Sequence, residues 1–470
     1  MKVLFVYPVP PAKWQILRYQ QGLGSISAVL KQAGHSTTLL TLSDLDRAAI
    51  DRTVKQFQPD LVGISLTSSY FPLSKDLART FAADYKLPVI LGGVHPTLRP
   101  EESIAADGVF AICVGEGEYP MLELCEALQA GRDPTRIPNL WVKHNGQVHK
   151  NEIRPLIADL DALPFPDREL FDFQTLLAGF AEAEFMGSRG CPYRCTYCAN
   201  HALFELYKGK GSYIRFRSVK NLLDEVEQVT KRYKDIALLG FHDDTFTLNP
   251  KWLQEFAETY PKRFSFPFWC NATARSINER NVAWLKAAGC YEVRIGVESG
   301  NDRIRMEMLD KRVTREEIVR AFRLLREADI LTYAFNMIGL PSETPETIND
   351  TIRLNQEIRP HAVFCSIFFP FPGTKSFEIC RERGWITGQT VKSYFESDYA
   401  LNQPTITRKQ ILFYHDIFRD LIRWPRLDPL IRTLHRIPVG GGKTAWNAIR
   451  RVRAKLRELG SRITGRPLTP

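Results

Sequence analysis

The segment Gly190-Cys191-Pro192-Tyr193-Arg194-Cys195-Thr196-Tyr197-Cys198 constrains this chain more than any other. Its thiols lie four and three residues apart, in a stretch too tight to start a helix and too bent for a strand. Thiolates so spaced can each bind a different iron of one iron–sulfur cube, leaving the fourth iron open to a small molecule. A zinc site would need a fourth donor close by, and His201 is the only neighbour that could serve. A disulfide framework needs even pairing and an oxidising compartment, whereas the 9 cysteines here are odd in number and fit a reducing cytoplasm. Cys113, Cys125, Cys270, Cys290, Cys365 and Cys380 read as buried thiols outside the motif.

The cysteine spacing resembles that of the radical S-adenosylmethionine enzymes. The resemblance implies a [4Fe-4S] cluster on Cys191, Cys195 and Cys198. It also implies S-adenosylmethionine bound to the open iron through its amino and carboxylate groups.

At 470 residues the chain predicts two or three domains. Its 44% hydrophobic and 25% charged content is that of a soluble globular protein. No run of about 18 apolar residues predicts a membrane span. Met1–Pro8 reads as a short strand without a signal-peptide cleavage pattern.

Residues 1–138 alternate strand and helix patterns, with apolar runs at Lys2–Tyr7, Thr37–Leu42, Leu61–Leu66, Val89–Gly92 and Phe110–Val114. This predicts a doubly wound sheet whose ligand loops follow the strand C-termini. Those loops carry Gly92-Gly93-Val94-His95-Pro96 and Gly115-Glu116-Gly117-Glu118, which resemble the cobalamin-binding domain preceding the radical domain in one subgroup of the family. The resemblance implies cobalamin contacts from Thr67, Ser68, Gly92, Gly93, His95, Gly115, Glu116 and Gly117. The Asp-x-His-x-x-Gly motif that supplies cobalt with a histidine elsewhere is missing, so His95 receives no cobalt-ligand role. A Rossmann-like domain kept for structure is the other reading. Two glycine stretches are decoys: Gly22–Ser27 sits too far past its strand for a dinucleotide fingerprint, and Gly440–Thr444 lacks a leading strand.

Residues 139–181 predict a hairpin on Asn145-Gly146 and then a proline-marked linker, Ile157–Asp167. Residues 182–385 predict six strand–helix units, a partial barrel with its chemistry at the strand C-termini. Those ends carry His242-Asp243-Asp244-Thr245, Glu298-Ser299-Gly300 and Ile338-Gly339-Leu340-Pro341. By resemblance, Asp243 and Asp244 face the ammonium of S-adenosylmethionine. Glu298, Ser299, Ile338 and Gly339 line its ribose, carboxylate and adenine, and Tyr197 stands near the adenine. The expected fold is therefore α/β: an N-terminal Rossmann-like cobalamin-binding domain, a partial (β/α)6 radical barrel, and a helical basic C-terminal region over 386–470.

The net charge of +10 sits in that last region: residues 408–470 hold 15 Lys/Arg against 4 Asp/Glu, so the rest of the chain carries about −1. Two readings of this tail stand, solvated helices packed on the barrel or a basic interfacial helix on anionic lipid. The expected location is cytoplasmic, with the second reading adding peripheral contact with the inner membrane face. Nucleic acid is not expected.

The resemblance implies a 5′-deoxyadenosyl radical and methyl transfer through cobalamin to an unactivated carbon of an apolar lipid, hopanoid or tetrapyrrole. An external electron donor of flavodoxin or ferredoxin type is implied too. Oxidative cyclisation of the anaerobic magnesium-protoporphyrin ester kind is an alternative outcome. A non-catalytic cobalamin or redox sensor with a structural cluster is an alternative of another class.

Overall fold

The computed structural model describes residues 1–10, 18–388, 399–429 and 431–432. Fifteen strands are distributed over three sheets among these residues. The first sheet takes β1 (Lys2–Pro8), β2 (Ser36–Leu42), β3 (Leu61–Ser65), β4 (Val89–Gly92), β5 (Ala111–Cys113), β6 (Leu140–His144) and β7 (Gln147–Lys150), in the order β2-β1-β3-β4-β5-β6-β7. The pairs from β2 through β5 are parallel, and the β6–β7 hairpin adds antiparallel. Val3, Leu4, Phe5 and Val6 are all buried, as a strand covered on both faces requires. Helices Gln21–Gln32 and Glu118–Gln129 pack together, and Phe71–Tyr85 joins β3 to β4. The strand order reverses between β1 and β3, where an open α/β sheet forms its crevice.

The second sheet runs β8 (Glu182–Phe185), β11 (Leu238–Phe241), β12 (Phe268–Ala272), β13 (Cys290–Glu298), β14 (Leu331–Ile338) and β15 (Ala362–Ile367), all parallel and in chain order. Between β8 and β11 lies a third, two-stranded sheet, in which β9 (Ser188–Arg189) pairs antiparallel with β10 (Arg215–Phe216). Amphipathic helices cover the outside of the barrel, several started by a side-chain cap, such as the Thr314–Glu317 capping box. Along β14 the burial alternates: Thr332, Ala334, Asn336 and Ile338 are buried, while Tyr333, Phe335 and Met337 are half-buried. Period two puts the latter three together on one face, the barrel lumen.

The first stretch of the basic tail is a barrel helix, Arg408–Arg423, packed on β15 and on Pro345–Ile358. Ile411, Tyr414, Ile417, Phe418 and Leu421 are buried there, so this apolar stripe faces protein and not lipid. The arginine-rich run 446–459 and the glycine run 440–442 lie outside the described residues. Among the described residues, no helix is long and apolar enough to cross a membrane.

Candidate active site

The cysteine loop leaves the barrel at the end of β8. Asp243, after β11, accepts from the Gly187 amide at 3.1 Å and from the Ser188 hydroxyl, pinning the chain two residues before Gly190. Gly190 has φ +92, and a Cβ there would lie 2.2 Å from the Tyr213 carbonyl oxygen, so only glycine fits. Thr196 then fastens the middle of the loop. Its amide donates to the Leu309 carbonyl (2.9 Å), its hydroxyl to the Met308 carbonyl (2.7 Å), and its own carbonyl accepts from the Ser376 amide (2.9 Å).

Cys191, Cys195 and Cys198 are half-buried, whereas the other six cysteines are buried, as the sequence reading expects. Burial pushes the Cys191 thiol up to about 12 and raises Cys195 and Cys198 above the usual range. A thiol so raised becomes a thiolate when it gains a cationic centre, which is what iron supplies. His201 Nδ1 lies 3.1 Å from the Arg194 carbonyl, and among the described residues His201 does not join the cysteines in a group close enough to share one ion. Among the described residues, the one group of three donors close enough to share a single ion is Glu182, Glu184 and His242. The three thiols are thus spread wider than a single-ion site, as a multi-iron cluster requires. In that other group, Arg18 pairs with both carboxylates, and Trp269 Nε1 donates to Glu182 at 2.8 Å.

The two adjacent aspartates separate. Asp243 is fully buried; burial raises its carboxyl to about 6 despite the bonds from Ser188 and Gly187. It is a structural pin and does not face a ligand. Asp244 is exposed to the cleft on the side of Cys191 and Cys198, with surrounding protein raising its carboxyl and Asn200 partly offsetting this.

Glu298 ends β13 at a register shift with φ +64, which turns its carboxylate back over Gly296. There it accepts from the Tyr197 hydroxyl at 3.2 Å and pairs with Lys311 at 3.3 Å. Burial would lower the Lys311 ammonium, but Glu298 and then Cys195 override it and leave it raised. Sequence reading missed Lys311, since no spacing rule ties it to Glu298. Ser299 is fully buried in the following turn, accepting from the Asn301 amide at 3.2 Å, and so does not line a cleft. Ile338 is likewise buried, and the Gly339 and Leu340 amides donate to Glu343 at 2.5 and 3.1 Å. Burial raises that carboxyl to about 8. Glu343, which anchors the turn after β14, was also absent from the sequence reading.

A cavity of about 380 Å³ opens at the β1/β3 reversal, within the usual range for ligand sites. Of the cobalamin residues read from sequence, Gly92, Gly93, Gly115, Glu116 and Gly117 line it. Gly22 and Gly92 present open space: a Cβ on either would meet no protein atom within 4 Å. The residues present therefore fit a large flat ligand laid against backbone. Thr67, Ser68 and His95 are not in the lining. His95 is buried against the Phe71 ring, its Nδ1 lies 3.0 Å from Ser68 Oγ, and burial lowers it to about 4. Across the cavity, the wall comes from the linker (Leu160, Leu163, Pro164) and from Met186, Ser188 and Arg189. The linker is thus part of the site, which its prolines did not announce.

Models of two families match this chain: the radical SAM superfamily over residues 186–354 and the B12 binding domain over residues 19–125. The chain belongs to the cobalamin-dependent radical S-adenosylmethionine enzymes. Its cofactors are accordingly a [4Fe-4S] cluster, S-adenosylmethionine and cobalamin, and an enzyme, not a sensor, is what the family supports. It is 28% identical over 423 residues to an uncharacterised methyltransferase of Pyrococcus horikoshii, covering 87% of this chain and 90% of the relative. It is 26% identical over 407 residues to the anaerobic magnesium-protoporphyrin IX monomethyl ester cyclase of Rubrivivax gelatinosus, covering 80% and 70%. Among solved structures, the cobalamin-dependent radical enzyme OxsB shares the fold with a TM-score of 0.69 at 17% identity, covering 98% of this chain and 72% of that one.

Proposed function

We propose that this enzyme is a C-methyltransferase acting on an unactivated carbon of an apolar, ring-containing substrate such as a hopanoid, another lipid or a tetrapyrrole. The observation that carries this reading is the shared strand: Ser188 and Arg189 wall the cavity, and Cys191 follows two residues later. Cluster and S-adenosylmethionine, when bound, supply a 5′-deoxyadenosyl radical, and cobalamin supplies a methyl group. The chain's own residues hold and shield. Asp244 meets the ammonium of S-adenosylmethionine, while Lys311, balanced by Glu298, offers a cation to its carboxylate side. Tyr197 is held by Glu298 between the second and third cysteines, its ring packed on the apolar cluster that includes Ile338 and Leu340.

The lumen supports an apolar substrate. Tyr333 and Phe335 lie with ring centroids 4.9 Å apart, Phe364 meets Phe335 edge-on at 6.0 Å, and the Arg294 guanidinium lies over the Trp269 ring. Such a surface receives flat hydrocarbon and keeps water from a radical. An external one-electron donor of flavodoxin or ferredoxin type completes the system, and the site of action is cytoplasmic.

The likeness to the anaerobic cyclase favours ring closure as a second reading on the same machinery. One reaction distinguishes them: anaerobically reconstituted protein, dithionite, S-adenosylmethionine with a deuterated methyl group, and a panel of hopanoids and porphyrin esters. Labelled methyl in a product, with both 5′-deoxyadenosine and S-adenosylhomocysteine formed, supports methyl transfer. 5′-Deoxyadenosine with an unlabelled, oxidised product overturns methyl transfer in favour of cyclisation. No 5′-deoxyadenosine from a loaded cluster overturns both.

A further inference from the structure

We propose that Arg189 is a positioning residue that couples the cobalamin cavity to the cluster loop, so that filling either site tightens the other. This rests on assigning the cavity to cobalamin and the three thiols to the cluster. Arg189 reaches out of β9 to Glu116 (3.0 Å) and Glu118 (2.6 Å), both on the glycine-rich loop of the first sheet. Glu118 also accepts from Ser25 at 2.9 Å, on the helix that forms another wall of the cavity. Directly across the two-stranded sheet from Arg189 stands Arg215, which pairs with Glu116 at 2.9 Å. Two arginines facing each other across a ladder repel, so the third sheet depends on the Glu116 carboxylate reaching in from the other domain. Burial would raise that carboxyl, but Arg215 and Arg189 override it and hold it below the usual range.

The neighbours of Arg189 are equally fixed. Ser188 is tied to Asp243, and Gly190 is confined against Tyr213. A ligand that shifts the loop 115–118 therefore moves the base of the cysteine loop most directly through Arg189, which lies two residues before Cys191, and the reverse holds as well. Coupling of equilibrium binding is reciprocal, so it can be read from either ligand.

The experiment uses full-length protein, cluster-free and cluster-reconstituted, titrated anaerobically with hydroxocobalamin and followed by its visible absorbance. In the wild type the cluster-loaded form binds about tenfold more tightly. In Arg189→Gln the ratio falls below about two, and Glu118→Gln, which cuts the same link from the other side, lowers it likewise. Arg215→Gln, which removes a partner of Glu116 away from the cysteines, keeps most of the ratio. Cob(II)alamin, the form in which the cofactor stands beside a dithionite-reduced cluster, also alters the electron paramagnetic resonance line shape of that cluster in the wild type and not in Arg189→Gln, a change that a purely structural loss does not produce. A wild-type ratio of one, or a wild-type ratio and line-shape response in folded Arg189→Gln or Glu118→Gln, overturns the coupling. Absence of any hydroxocobalamin binding, or of any cluster, overturns the site assignment beneath it and is seen separately.

Discussion

The cobalamin cavity and the cysteine cleft differ in how much of each is built without its cofactor. The cavity has Gly22 and Gly92 clear, its linker wall in place and its carboxylates Glu116 and Glu118 matched to arginines. In the cysteine cleft burial pushes three thiols toward their neutral form, and among the described residues no cation pairs with the exposed Asp244. A preformed site accepts a large ligand with little reorganisation, whereas the cluster must supply the charge that ionises its own ligands. The contrast teaches that the two cofactors load by different physics, one by fit and one by chemistry.

The largest effect should come from breaking the chemistry. Cys195→Ala is expected to abolish both the cluster absorbance near about 400 nm and 5′-deoxyadenosine formation, while hydroxocobalamin still binds. Retained cleavage would remove Cys195 from the ligand set. Breaking the fit comes next: Gly92→Leu puts a side chain into the open space on the cavity wall. It should weaken hydroxocobalamin about a hundredfold, on the order of 3 kcal/mol, with the cluster spectrum intact.

The adjacent aspartates sharpen the comparison within one loop. Asp243→Asn should lower unfolding stability by about 1–3 kcal/mol, because Ser188 and Gly187 lose their charged acceptor. Asp244→Asn should instead leave the melting temperature nearly unchanged and weaken S-adenosylmethionine about tenfold, roughly 1.4 kcal/mol. The reverse pattern would exchange their roles.

A pH slope tests the turn after β14 apart from either cofactor. Glu343, raised to about 8, binds more protons folded than unfolded between about 4.5 and 8. Stability therefore falls as pH rises through that window, by several kcal/mol at most, on the order of 5. Glu343→Gln keeps an acceptor for the Gly339 and Leu340 amides and should flatten the slope in urea melts at pH 5 and pH 8.

Local signals carried the architecture. Unbroken apolar runs such as Val3–Val6 mark strands buried on both faces, and Asn145-Gly146 marks the hairpin, with φ +49 and +75. Site residues were legible where the motif is contiguous and opaque where partners meet from afar. Arg189 lies 73 residues from Glu116, and Lys311 is 114 from Tyr197, so neither pairing leaves a trace in spacing. The roles of Asp243 and Asp244 depend on which way each faces at a strand end, where alternation no longer decides. His95 carries a suggestive neighbourhood in sequence, but the structure spends it on packing against Phe71.

The helix that begins after Cys198, Ala199–Leu206, is followed at once by Tyr207, whose hydroxyl accepts from the Glu116 amide at 2.8 Å and occupies the space a Cβ on Gly115 would need. Arg217 closes another part of the same cavity. On a ribosome, then, the first sheet can form early, but the far wall of its pocket is complete only once residue 217 has emerged. By that point the chain has also released all three cluster cysteines. Synthesis order alone thus delays completion of the cobalamin pocket until the iron-binding loop is available, and a fragment ending near residue 138 would lack the far wall.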